Sequence, residues 1–193
     1  FKRGFGILAY GASLILEPTC NIIEFPSGEC AGTKNRFEGL TYGVAEKAWN
    51  AMPPVAVKRC EFIDNFRSVI MTNQYGAVIT KNTFNMPGSG FIPYGIYLEG
   101  STGYQVEENE FFTPFTQSVT RGIIVQNSGS GGDEIYNNEF HEIGFGIQPN
   151  GWVQAHSNEG LQIKCNNFTN NISSYHIAVT SGDIGAPPGQ CIG

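Results

Sequence analysis

The chain has 193 residues, of which 40% are apolar, 12% aromatic and 15% charged, with 25 glycines and 10 prolines. So low a charge content excludes a coiled coil and an extended disordered chain. A formal net charge of −6 argues against nucleic acid as a partner, which would call for a basic stripe, and no apolar run is long enough for a helical membrane span.

Two short apolar patterns alternate from the N-terminus onward. The first is an aromatic residue or Arg, then Gly, then Ile or Val. It reads Phe5-Gly6-Ile7, Tyr42-Gly43-Val44, Arg67-Ser68-Val69, Tyr94-Gly95-Ile96, Arg121-Gly122-Ile123, Phe145-Gly146-Ile147 and Tyr175-His176-Ile177. The second is Ile or Val, two free positions, Asn, one free position, Phe. It appears at Ile79 to Phe84, Val106 to Phe111, Ile135 to Phe140 and Ile163 to Phe168. Val57 to Phe62 carries Cys60 in the Asn slot, and Asn35-Arg36-Phe37 keeps only the second half.

The phenylalanines at 37, 62, 84, 111, 140 and 168 step by 25, 22, 27, 29 and 28 residues. A period of that length, built from strand-sized runs with no helical pattern between them, marks a stacked solenoid. No unit buries its apolar face alone, so neighbours must stack. Within the second pattern the two-residue strand period slips by one, which implies a corner. Asn is expected at that corner because it tolerates left-handed backbone. Stacked asparagines would form an amide ladder and the phenylalanines an aromatic stack. The Gly of the first pattern marks a crowded or positive-φ entry into the next strand. Three short strands per coil would make about six coils a rod roughly 30 Å long.

This pattern resembles the right-handed parallel β-helix of the pectate-lyase-like superfamily, closely over Phe37 to Val179 and loosely before it. The resemblance implies an all-β solenoid, and it speaks to fold rather than activity because the repeat residues face inward. Residues 1–193 are expected to form a single β-helix segment. No polar cap is legible at either end, so the segment is read as uncapped and as part of a longer polypeptide.

Loops fall at two places in each coil. Residues 85–93 and 112–120 lie on adjacent coils and should project side by side. Excursions at 9–32, 45–54 and 148–159 carry Trp49 and Trp152 along one edge of the rod. Cys20 and Cys30 are candidates for a disulfide closing the first excursion, with two unpaired thiols as the alternative. Cys60 should point inward as a small apolar residue. Cys165 is unassigned, and Cys191 is left to a partner beyond this segment.

Chemistry should sit on outward positions. The column between Asn and Phe reads Arg36, Glu61, Thr83, Glu110, Glu139 and Asn167. Glu110 and Glu139 fall on neighbouring coils, with Glu107, Glu108 and Glu134 nearby. That arrangement is read either as a Ca²⁺ site of the kind polysaccharide lyases use or as a solvated acidic face. A lyase also needs a base, for which Lys58, Arg59, Lys81 and Arg121 qualify by offset. The paired-Asp motif of a polygalacturonase-like hydrolase is missing from the sequence. Trp49, Trp152, Tyr97 and Tyr136 are the candidate binding residues. Tyr97 sits in a stripe with Ile70 and Ile124, and the other three could stack on sugar rings. His141, His156 and His176 share no spacing that suggests a triad or a metal.

Two functional readings follow. The first is a non-catalytic secreted or cell-surface module that presents loops for adhesion or for a glycan or protein partner, with no cofactor. In style it is similar to long exported bacterial proteins that use the type IX route. The second is a calcium-dependent polysaccharide lyase.

Overall fold

The computed structural model describes residues 3–18, 23–24, 29–30, 33–49, 55–88, 92–128, 132–151, 153, 160–169 and 175–180, with the backbone alone at 23–24, 29–30 and 115–118. Almost every strand pairs in parallel with the strand one repeat away, as a solenoid requires. Three stacks result. One contains Phe5–Tyr10, Tyr42–Lys47, Arg67–Thr72 and Tyr94–Glu99, then residues 121–126 and 145–150, then Tyr175–Ile177. A second runs through Asn35–Glu38, Cys60–Ile63, Thr83–Asn85, residues 110–112 and 139–141, and Asn167–Thr169. The third holds Leu14–Leu16, Val55–Lys58, Val78–Thr80, Gln105–Glu107, Glu134–Tyr136 and Gln162–Lys164. The molecule is a parallel β-helix. The one antiparallel ladder among the described residues joins Ile23–Glu24 to Glu29–Cys30 in the first excursion.

Two inward columns hold the coils in register. In the amide column, Asn82 Nδ2 donates to Asn109 Oδ1 at 2.9 Å, Asn109 Nδ2 to Asn138 Oδ1 at 3.0 Å, and Asn138 Nδ2 to Asn166 Oδ1 at 2.9 Å. Each of these amides also donates to a carbonyl of the preceding coil, as Asn109 does to Ile79 O at 2.8 Å. Each oxygen also accepts the backbone N–H of the preceding slot. All the polar atoms of the column are thereby satisfied away from water, which buried amides require.

The sequence placed left-handed backbone on these asparagines, and the structure moves it one residue earlier. Arg59, Lys81, Glu108, Asn137 and Cys165 carry φ between 50° and 56°. That residue makes the corner, and the slip it introduces turns the following Asn inward.

The phenylalanine column stacks face to face. Ring centroids from Phe37 through Phe62, Phe84, Phe111, Phe140 and Phe168 lie 4.7–5.1 Å apart, with interplanar angles of 5–11°. The glycine of the first pattern faces these rings. A Cβ at Gly95 would lie 2.6 Å from Phe111 Cε1 and 2.8 Å from Gly122 O, and one at Gly122 would lie 2.5 Å from Phe140 Cε1. Crowding explains the glycine, since neither residue has positive φ.

Residues 112–120 also depart from expectation. They are not a free loop but part of the 17-residue strand Glu110–Gln126, which pairs with Glu139–Asn150 through register shifts around Gln117.

Candidate functional site

With Asn, Phe and Ile columns turned inward, the outward columns are what the rod offers to other molecules. The lead position of the first pattern forms one of them. Phe5, Tyr42, Arg67, Tyr94, Arg121, Phe145 and Tyr175 are register partners from coil to coil. Phe5 and Tyr42 stack at 4.6 Å and 5°. The Arg67 guanidinium then lies 5.0 Å from the Tyr42 ring and 5.6 Å from the Tyr94 ring, and its Nη1 donates to Tyr42 Oη. Arg121 sits 5.3 Å over Phe145 and donates to Gln148 Oε1. Phe145 meets Tyr175 at 5.5 Å. Phe5 and Tyr42 thus cover one another's faces, and the guanidinium of Arg67 lies between the Tyr42 and Tyr94 rings.

The electrostatics of this column are unusual for the chain. Three of its five arginines are ion-paired: Arg3 with Asp64 at 3.1 Å, Arg36 with Glu38 at 2.8 Å and Arg59 with Glu17 at 2.7 Å. Among the described residues, Arg67 and Arg121 form no ion pair. Burial lowers the pKa of Arg121 from its ordinary value. Burial raises Tyr94 and Tyr97, with Glu99 adding to both, so these hydroxyls remain protonated donors throughout the physiological range.

Beside it runs the aliphatic column Leu8, Ala45, Ile70, Tyr97 and Ile124. The stripe expected there is open in part: Leu8 is 49% exposed, Ile70 and Tyr97 are half-buried, and Ile124 is buried. A third column, Tyr10, Lys47, Thr72, Glu99, Gln126 and Asn150, is mostly polar.

Of the other candidates, Trp49 is 77% exposed at the edge of the rod and Tyr136 is 37% exposed on the third stack. Trp152, Cys20 and the side chain of Cys30 lie outside the described residues. Glu110 and Glu139 do stand side by side in register. What meets them is an imidazole: His141 Nε2 lies 3.3 Å from Glu139 and 3.9 Å from Glu110, while its Nδ1 bonds Thr169 Oγ1 at 2.6 Å. Ca²⁺ takes six to eight oxygens, so this neighbourhood is poorly suited to it. Three of the four candidate bases are ion-paired elsewhere, Lys81 with Glu108 at 3.2 Å and Lys58 and Arg59 with Glu17, and Arg121 stands in the outward column over Phe145.

The sequence reading missed the outward Arg/aromatic column, although the lead position of the first pattern spelled it out. It also missed a second inward ladder, in which Gln74 N donates to Ser101 Oγ and Ser101 N to Ser128 Oγ. Tyr104 is fully buried nearby, its pKa held well above the ordinary tyrosine value by burial and then by Asp133. No repeating letter announced these residues.

Residues 26–184 match the family described as "Periplasmic copper-binding protein (NosD)". The chain belongs to the NosD family. No curated protein and no solved structure matches it. The match agrees with a right-handed parallel β-helix, and the family's periplasmic description is compatible with a secreted or cell-surface protein. Among the described residues no helix is long and apolar enough to cross a membrane.

Proposed function

We propose that this NosD-family segment is a non-catalytic docking scaffold, a rigid rod that holds a partner along its outward Arg/aromatic face. The observation that carries this is the seven-strand column from Phe5 to Tyr175, which sets two arginines, without carboxylate partners among the described residues, between aromatic rings and beside a half-open aliphatic stripe. Tyrosine and arginine are enriched where interfaces concentrate their binding energy. A parallel β-helix keeps such a column straight because each coil is fixed by two internal ladders. Exposed Trp49 supplies a second contact at the edge, suited to the adhesive or glycan-binding role expected of the excursions.

The family description names copper, and the described residues do not fit a copper site. Cys60, Met71 and Met86 are buried in the core. His141 has its Nδ1 held by Thr169 Oγ1, and its Nε2 lies 3.3 Å from Glu139. Among the described residues no group of three His, Cys, Asp or Glu is disposed to hold a metal ion. No step of the proposed role therefore runs through a metal.

The test is association in the full-length protein. Tyr97→Glu places a charge in the middle of the face without touching either internal ladder. It should abolish co-purification of whatever partner the wild type retains, at unchanged protein level and melting temperature. Retention of the partner by Tyr97→Glu would sink the docking role of this face.

A further inference from the structure

We propose that the occupant of this face is an acidic α-helix of a partner protein, lying along the rod with carboxylates two helical turns apart that meet Arg67 and Arg121. The inference rests on the docking role above and names the chemistry of the partner.

Four observations point to this occupant. Arg67 and Arg121 are separated by one coil, that of Tyr94, in the register Arg67↔Tyr94↔Arg121. Two strand spacings of about 4.8 Å put them roughly 9.6 Å apart. Residues i and i+7 of a helix lie on one face and are separated by about 10.5 Å along its axis. A helix parallel to the rod therefore brings one carboxylate to each guanidinium.

In the middle of the column the ring faces are taken, since Tyr42 stacks on Phe5 at 4.6 Å and 5° and the Arg67 guanidinium lies against Tyr42 and Tyr94, which leaves little ring face there for a sugar. Ring edges carry the positive end of the aromatic quadrupole and favour anions. The Leu8, Ile70 and Tyr97 column alongside needs an apolar counterpart, which an amphipathic helix has and a polysaccharide lacks. Finally, the strands of this face from Tyr42–Lys47 to residues 121–126 are paired on both sides, so an extended peptide finds no free edge there.

Glu99 refines the match. It lies at the far end of the Tyr94 strand, on the coil between the two arginines but in the polar column beyond the aliphatic one, and it adds to the raised pKa of Tyr94 and Tyr97. The helix should be neutral or basic on the flank turned toward that polar column. A uniformly acidic surface would meet Glu99 and be rejected, which makes the site selective for spacing as well as for charge.

The probe is a synthetic amphipathic helical peptide with glutamates at i and i+7, leucines along the adjoining face and a lysine on the flank beyond the leucines. Its control has glutamine in place of both glutamates. Binding to the full-length protein is measured by fluorescence anisotropy at low and raised salt, with polygalacturonate as a competing anionic polymer. The glutamate peptide should bind and weaken with salt. Arg67→Glu and Arg121→Glu should each reduce its affinity by at least about tenfold, and Glu99→Gln should relax discrimination against a wholly acidic peptide. Arg67→Gln, which removes the charge without creating a repulsion, is the second variant, and melting curves establish that each protein is folded.

Equal binding of both peptides, or no loss in the arginine variants, overturns the acidic helix. Binding of polygalacturonate alone, lost on Arg67→Glu, also overturns it while leaving the docking face in place. If neither probe binds, the occupant is wrong, and partner retention by Tyr97→Glu then decides separately whether the face docks anything.

Discussion

Phe168 and His176 lie face to face, with ring centroids 4.9 Å apart and planes 5° from parallel. His176 stands in the slot that Gly146 fills one coil earlier. Its imidazole therefore occupies the place of a further phenylalanine and covers the free face of Phe168. His176→Gly should lower the free energy of unfolding by about 0.5–1.5 kcal/mol, the worth of one aromatic pair beyond area burial. His176→Phe should restore it. Urea denaturation of the three proteins provides the check, and an unchanged midpoint in His176→Gly would refute the capping role.

Asn109 is the centre of the amide ladder. Replacing it with Ala takes the acceptor from one Nδ2 proton of Asn82 at 2.9 Å and from the Asn82 backbone N–H at 3.0 Å, and removes a donor at 3.0 Å from Asn138 Oδ1. Each buried group left unsatisfied costs about 1–3 kcal/mol, so Asn109→Ala should destabilise by roughly 3 kcal/mol or more. Asn166→Ala removes an acceptor from Asn138 alone and should cost less. Chemical denaturation ranks the two, and the reverse order would show that the ladder does not act through satisfaction of its neighbours.

Much of this architecture is legible in the letters because the repeat residues are those whose chemistry allows no substitute. Only Asn offers two donors and an acceptor in the geometry the corner needs, and only a residue without a Cβ lets a phenylalanine ring pass as closely as Phe111 passes Gly95. Ser68 shows the limit of that rule, since a small side chain is accommodated opposite Phe84. Cys60 stands in an asparagine slot, and its sulfur meets the side chain of Asn35 on the preceding coil. The outward face is harder to read. Tyr42, Arg67 and Tyr94 look interchangeable in a pattern that says only aromatic or Arg, and their meaning appears when the coils stack them and leave two guanidinium groups with no ion pair among the described residues. The interior polar group of Gln74, Tyr104 and Asp133 leaves no periodic trace, because the three lie in turns of different length.

Cys60 and Cys165 should differ sharply toward thiol reagents. Cys60 is fully buried, and its pKa is pushed up to about 11, chiefly by desolvation. Cys165 is exposed at a corner with φ 55°. The thiolate is the reactive form, so in a background with Cys20, Cys30 and Cys191 replaced by Ser, one equivalent should react rapidly at mildly alkaline pH. The second should react only at the rate of unfolding. Mass spectrometry of the labelled peptides assigns the two phases, and rapid labelling of Cys60 in the native protein would contradict its inward position.

Glu46 should make stability depend on pH in a direction opposite to most carboxylates. It occupies an inward position in register with Ala9 and Met71 and is 1% exposed. Burial raises its pKa above the ordinary 4.5, partly offset by hydrogen bonds from the backbone of Ala12 and Gly11. A carboxyl whose folded pKa exceeds its unfolded value takes up protons on folding. Its contribution is therefore full below pH 4.5 and is lost as pH rises through the folded value. Glu46→Gln keeps the shape and removes the titration, so the variant should gain stability relative to the wild type between about pH 4.5 and neutrality. In acid the difference should fall to its smallest value. Parallel urea titrations across this range measure it. A difference that is constant with pH, or largest in acid, would mean that Glu46 is better solvated in the folded chain than its place among the inward residues implies.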